Sequence, residues 1–258
     1  MLIHGTFASG RYWGGHYDGL GSGHLLVVPD LAGFGRSLDI GEGYGPDEHA
    51  DLVAQSLRQL GAGEEPSVIA AHSLGCLVAL RVAGRHPELV SGIVAFAPPL
   101  YRSRQDAVEL LARAGLLLRL FILRPRQSEA FCIWMCKHPA LVLRLAHLAR
   151  PDLPAPLAED RLKHTYRSYS ESVSKVIVAA GAAAWLAEVD MPVRLVAGDQ
   201  DRIVDRDFLA ELANRHGNVE LSRWPATGHE VPLSRPEDCL RAIEQMRQRV
   251  VPGIGAHG

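Results

Sequence analysis

The stretch from Val68 to Leu80 constrains the fold more than any other part of this chain. It opens with a short apolar run, Val68-Ile69-Ala70-Ala71, as a buried strand does. It closes with an apolar helical pattern at Leu74, Leu77, Val78 and Val82. One serine, Ser73, stands between the two halves, with Ala71 two residues before it and Gly75 two after. A strand that turns sharply into a helix brings its two backbones nearly into contact. Only small residues fit at those two places, and the serine between them is left on a strained turn with its hydroxyl exposed.

The rest of the chain alternates in the same way. Leu2-Ile3 reads as the end of a strand, Leu25–Val28 as a second, Gly92–Phe96 as a fourth, and Val193–Ala197 and Val219–Trp224 as a fifth and sixth. Helical spacing of apolar residues runs through Pro46–Leu60, which Gly61 and Gly63 end, and through Phe208–Arg215. Ser234-Arg235-Pro236-Glu237 reads as the capped start of a final helix. Alternating strands and helices with short loops imply a parallel, doubly wound sheet of about six strands.

Between Tyr101 and about Leu186 the pattern changes. Helical patterns cover Asp106–Leu123, Glu129–Lys137, Ala140–Ala149 and Glu159–Leu186, with Arg124-Pro125, His138-Pro139 and Arg150–Pro154 between them. The expected organisation is an α/β core over residues 1–99 and 187–258, with a helical insertion over 100–186. The apolar residues of the insertion, among them Leu116, Leu117, Phe121, Phe131, Trp134, Met135, Tyr166, Tyr169 and Trp185, read mostly as its core.

Ser73, then Asp199 or Asp201, then His229 fall on loops at the carboxyl ends of strands, where parallel sheets hold ligands. A hydroxyl becomes a useful nucleophile when a base takes its proton. An imidazole can do so near neutral pH, and a carboxylate fixes its tautomer. His229 stands out among the twelve histidines because it follows the last strand on a small-residue loop.

Five spaced motifs now resemble the α/β-hydrolase superfamily, in its serine branch with a helical cap. They are His4-Gly5-Thr6, Asp30–Ser37, Ala71-His72-Ser73-Leu74-Gly75, Gly198-Asp199-Gln200-Asp201 and Gly228-His229. The resemblance implies that Ser73 sits on the nucleophile elbow and that Asp201, the second aspartate of its motif, is the acid. It implies an oxyanion hole from the amides of Leu74 and Thr6, with Phe7 as the fallback. His4 is expected to support its loop, and His72 and Phe7 to line the substrate pocket. Asp30 and Ser37 are expected to shape their loop. His138, His147 and His164 read as surface or packing residues.

The expected chemistry is hydrolysis of a carboxylic ester or related acyl compound through an acyl-enzyme. A serine nucleophile argues against the aspartate chemistry of dehalogenases and epoxide hydrolases. C–C bond hydrolases, lactonases, thioesterases and cofactor-free perhydrolases share the same three residues, and a ligand sensor without turnover is a further alternative. No metal or organic cofactor is expected. The expected partner is a small, largely apolar acyl substrate, and homo-oligomerisation is left open.

Family members carry two further strands before the His-Gly loop, and an ordinary hairpin needs about 15 residues. Only three residues precede His4. A gene start set too far downstream is the favoured explanation, over a minimal natural form or a partner chain covering the edge at Leu25–Val28.

The 258 residues are 47% hydrophobic and 22% charged, with a net charge of −2, which suits one large α/β domain and gives no nucleic-acid footprint. Neither a signal peptide, a membrane span nor a membrane partner is expected, since the N-terminus has no basic or long apolar region and the longest apolar run, Leu116–Leu123, is broken by Arg119. The four cysteines make no disulfide framework, so reduced thiols in the cytoplasm are expected. Cys132 and Cys136, one turn apart, read as packed thiols, not metal ligands.

Overall fold

The computed structural model describes residues 1–62, 64–149, 151 and 153–250, without the side chain of Leu117. Gly63 as a helix end, and Arg150 and Asp152 as helix separators, lie outside the described residues.

Five strands form one parallel sheet in the order β1 (Leu2–Ile3), β2 (Ser67–His72), β3 (Val90–Phe96), β4 (Val193–Gly198) and β5 (Val219–Trp224). The register pairs Ala71 with Ala95, and Ala95 with Leu195, so the strands end together near His72, Phe96 and Gly198. Ile93, Val94, Ala95 and Phe96 are all buried, so successive side chains on both faces of β3 are covered.

Of the six expected strands, Leu25–Val28 forms no ladder. It lies beside β1 and makes one backbone bond, from Leu2 N–H to the Val27 carbonyl at 2.9 Å. Val27 is buried against the core, but Leu25 on the same face is 61% exposed, so only one side chain of that face anchors the segment beside the sheet.

Helices α1 (Pro46–Gln59) and α2 (Leu74–Arg85) pack on each other, and α2 packs on β2 and β3. Nine of the residues of α2 are buried, Leu74 through Leu80 among them without a break. Gly75 is required by close approach. A methyl group there would lie 2.6 Å from the His4 carbonyl oxygen and 2.7 Å from that of Ile3, both rigid backbone. The elbow can therefore sit against β1 only with glycine at that position. After β4, α10 (Arg206–Arg215) packs on β5, and α12 (Pro236–Val250) packs on β3. Gly92 of β3 faces Met246 of α12.

Residues between β3 and β4 are helical throughout their regular structure: α3 (Arg104–Ala114), α4 (Leu116–Leu123), α5 (Pro125–Lys137), α6 (Pro139–Ala149), α7 (Ala155–Asp160), α8 (Tyr166–Glu171) and α9 (Ala182–Leu186). A π-helical turn over Ser172–Ile177 follows α8. The expected single helix over 106–123 is two, because the chain is extended at Gly115. The expected helix over 159–186 breaks after Asp160, whose side chain is drawn into the core. It restarts at Thr165, whose hydroxyl accepts from Ser168 N–H in a capping box. The capping box expected at Ser234 is absent. Its hydroxyl donates back to the Glu230 and Val231 carbonyls of a short helix, α11 (Val231–Ser234).

Candidate active site

Ser73 stands between β2 and α2 with φ 51° and ψ −120°, in a region that side chains other than glycine rarely adopt. Two bonds hold the strained residue. Its N–H donates to the Phe96 carbonyl at 3.0 Å, and its own carbonyl accepts from Cys76 N–H at 2.9 Å.

The three residues picked out on separate loops come together. Ser73 Oγ lies 3.1 Å from His229 Nε2, and His229 Nδ1 lies 2.8 Å from Asp201 Oδ2. With the imidazole neutral, Nδ1–H donates to Asp201, and Nε2 is free to accept from the serine hydroxyl. Asp201 is buried. Burial pushes its carboxyl up, but the His229 hydrogen bond, the His229 charge and the amides of Ile203 and Val204 outweigh it, so the net shift is downward. Those two amides reach Asp201 Oδ1 at 2.7 and 3.3 Å. Asp199 is occupied elsewhere, accepting from Thr227 N–H at 3.3 Å. Of the two aspartates, Asp201 is the one beside His229.

Thr6 and Phe7 line the cavity over Ser73. Phe7 has φ 55°, which bends the loop after β1 across the elbow. Gly5 lets it approach: a Cβ there would stand 3.0 Å from Ser73 Cβ and 3.1 Å from His72 Nδ1. Leu74 opens α2, so its N–H precedes the first intrahelical bond of the helix. Leu74 itself is fully buried. His4 is buried beneath this loop. Its Nε2 accepts from Leu31 N–H at 2.9 Å and its Nδ1 donates to the Gly5 carbonyl at 2.7 Å. Asp30 ties down the neighbouring loop by accepting from Gly10 N–H and Arg36 N–H, at 2.6 and 2.8 Å.

His72 also lines the cavity, and its Nε2 donates to the His229 carbonyl at 2.9 Å. Burial, followed by the nearby His229 charge, lowers its pKa to about 4, so it is neutral at physiological pH. It serves as a fixed strut under the His229 loop. Tyr12 stacks on it, ring centroids 4.8 Å apart, and donates its hydroxyl to Glu230 at 2.8 Å. Arg161 reaches the other Glu230 oxygen at 3.0 Å.

The cavity has a volume of ≈ 180 Å³. Its walls are mainly apolar, with Leu111, Leu118, Ile122 and Val173 from the helical insertion and Ile203 from the loop after β4. Tyr169 is buried in the same wall, stacked on Phe7 at 4.6 Å. Among the described residues its buried hydroxyl finds no protein partner. No group of three or more potential metal-ligating side chains occurs among the described residues.

Tyr12, Asp160, Arg161 and Glu230 were not singled out from the sequence. Asp160 is buried at the end of α7. It accepts from Ser9 and Arg11 in the loop after β1, and from Lys163 at 3.0 Å. Burial raises its pKa, but the bonds from Arg11, Ser9 and Lys163 overcome that and hold it at about 2. Because the folded value is depressed, the stabilisation is complete above the ordinary aspartate range. It is lost as pH falls from about 4 towards 2. The effect amounts to about 2 kcal/mol. Asp160→Asn is expected to lower urea stability by about that amount at pH 6 and by only about a third as much near pH 2.5, where the folded carboxyl is part-way through its titration. Equal destabilisation at both values would show that packing, and not the ionised carboxylate, is what matters.

Comparison with known proteins agrees with this architecture. A curated plant relative from Arabidopsis thaliana, named "Probable lysophospholipase BODYGUARD 5", is 23% identical over 92% of this chain, which spans 59% of that protein's length. The pimeloyl-[acyl-carrier protein] methyl ester esterase of Aromatoleum aromaticum is 26% identical over 95% of this chain and 96% of its own. The crystal structure of E-2-(acetamidomethylene)succinate hydrolase superposes with a TM-score of 0.73 at 18% identity, over 96% of this chain and 90% of that one. Residues 1–242 match the family model described as the alpha/beta hydrolase family, and the chain belongs to that family.

Proposed function

We propose that this chain is a serine hydrolase acting on a small carboxylic ester or related acyl compound. The observation that carries the reading is the hydrogen-bonded series Ser73–His229–Asp201 at the wall of a mainly apolar cavity. His229 takes the Ser73 proton as the oxygen attacks the substrate carbonyl, and Asp201 stabilises the imidazolium that forms. The amides of Thr6 and Leu74 hold the developing oxyanion, each worth about 3 kcal/mol of barrier. His229 then protonates the leaving alcohol. Water, deprotonated by His229, attacks the acyl-enzyme, releases the acid and restores Ser73.

Phe7 and His72 contribute to the substrate pocket, and residues 100–186 act as a cap that closes it over the core of 1–99 and 187–258. The chemistry needs no cofactor. The relative named as a methyl ester esterase, matched over nearly its full length, favours an ester over the other bonds this arrangement can cleave. The free thiols Cys76, Cys132, Cys136 and Cys239 suit a reducing compartment such as the cytoplasm.

The test is a p-nitrophenyl ester series from acetate to octanoate, with wild type and Ser73→Ala. A cavity of ≈ 180 Å³ predicts an optimum among the shorter chains. A wild-type rate no higher than the variant's on every ester would remove the hydrolase reading and leave ligand binding without turnover.

A further inference from the structure

The helical insertion has an outer surface that the proposed chemistry does not use. Helix α6 contains no buried residue. Val142, Leu143 and Ala146 are half-buried on its inner side, while Leu141, Leu145 and Leu148 are exposed on the other. Positions i, i+4 and i+7 form one stripe, so α6 is apolar on both sides, whereas an ordinary surface helix is polar outside. Ile133 and Trp134 are exposed on α5, which packs on α6. Of the ten large hydrophobic residues that are exposed among the described residues, seven fall between Leu116 and Leu148. The concentration is local and is not general surface apolarity.

The charge of the same segment is equally uneven. Residues 116–149 carry Arg119, Arg124, Arg126, Lys137 and Arg144 against Glu129 alone, a net charge of +4 in a chain whose total is −2. All five basic side chains are exposed. Arg144 flanks the leucine stripe on α6 itself, and Lys137 lies one turn beyond Ile133 and Trp134 on α5. Apolar side chains edged by long cationic ones, with a tryptophan among them, match the water–lipid boundary of an anionic bilayer. The leucines enter the acyl region, the tryptophan sits at headgroup level, and the cations meet lipid phosphates.

We propose that the outer face of α5 and α6 docks on an anionic membrane surface, lying on the bilayer without crossing it. No helix among the described residues is long and apolar enough to cross a membrane. This proposal departs from the expectation of no membrane partner, because lying in the interface does not need a long apolar helix. A second copy of this chain fits the face less well. A two-fold interface sets each patch against itself and brings like charges together. The proposal does not rest on the role of Ser73.

The test is co-sedimentation of the full chain with vesicles of equal parts phosphatidylcholine and phosphatidylglycerol, and with phosphatidylcholine alone. Preferential binding to the anionic vesicles is expected, weakening as salt rises. A blue shift in tryptophan emission should accompany binding and be absent in Trp134→Phe. Leu145→Glu/Leu148→Glu should lower partitioning by at least about tenfold. Its thermal melt should be unchanged, since neither residue is buried. The proposal is overturned if wild type does not bind anionic vesicles, or if the double variant binds as well as wild type. A dimer that the double variant dissociates, without vesicle binding, would assign the face to a second copy and overturn it as well.

Discussion

Ser73→Ala is expected to lower kcat on the best p-nitrophenyl ester by about 10⁶-fold, and His229→Ala added to it should cost almost nothing more. The near-absence of a second loss is the informative part. Ser73 and His229 share one proton across 3.1 Å, so either is useless to the reaction without the other. Residues acting in separate steps would multiply their losses. On the proposed mechanism the residual rate comes from the Thr6 and Leu74 amides and from binding. Stopped assays and a circular dichroism melt on all three variants check the result. A double variant far below both singles would mean that the two residues do not act as a unit.

The second large effect is at Asp201. Asp201→Asn keeps the size of the side chain and the Ile203 and Val204 amide contacts to its remaining oxygen. The new amide NH₂ turned towards His229 then meets a ring nitrogen 2.8 Å away. Two donors cannot share that contact, so the imidazole shifts its proton to Nε2, which can no longer accept from Ser73. The expected loss in kcat is about 10⁴-fold at pH 8, with KM little changed. Asp199→Asn, by contrast, alters a loop contact to Thr227 and should leave kcat within a few fold. Similar losses in both variants would reassign the carboxylate.

The residues that could be found in the sequence are those whose position depends on local backbone. Ser73 was legible because a strand meeting a helix at close range demands Ala71 and Gly75 on either side. Any methyl group at Gly75 would be forced to within 2.6 Å of the His4 carbonyl oxygen, too close for a carbon to sit. His229 was legible because it follows the last strand directly, on a loop of small residues. The residues that were not legible depend on partners far along the chain. Arg11 meets Asp160 across 149 positions, and Tyr12 meets Glu230 across 218. No local pattern marks a tyrosine as the donor to a distant glutamate. The break of the long cap helix at Asp160 follows from the same distant partners, so periodicity alone ran through it.

On the proposed mechanism, the bonds from Asp160 to Ser9 and Arg11 carry an expected kinetic consequence. The same loop carries Thr6 at one end and this fastening at the other. If the cap swings away to discharge product, α7 must let go of that loop, and the loop is then slack where it would cradle the negative oxygen. Exit and bond cleavage are then expected to exclude each other in time, as in a lock whose two gates share one bar. Loosening the bar should speed release while it slows acylation. The fastest form of such an enzyme has a fastening of intermediate strength, not the strongest one.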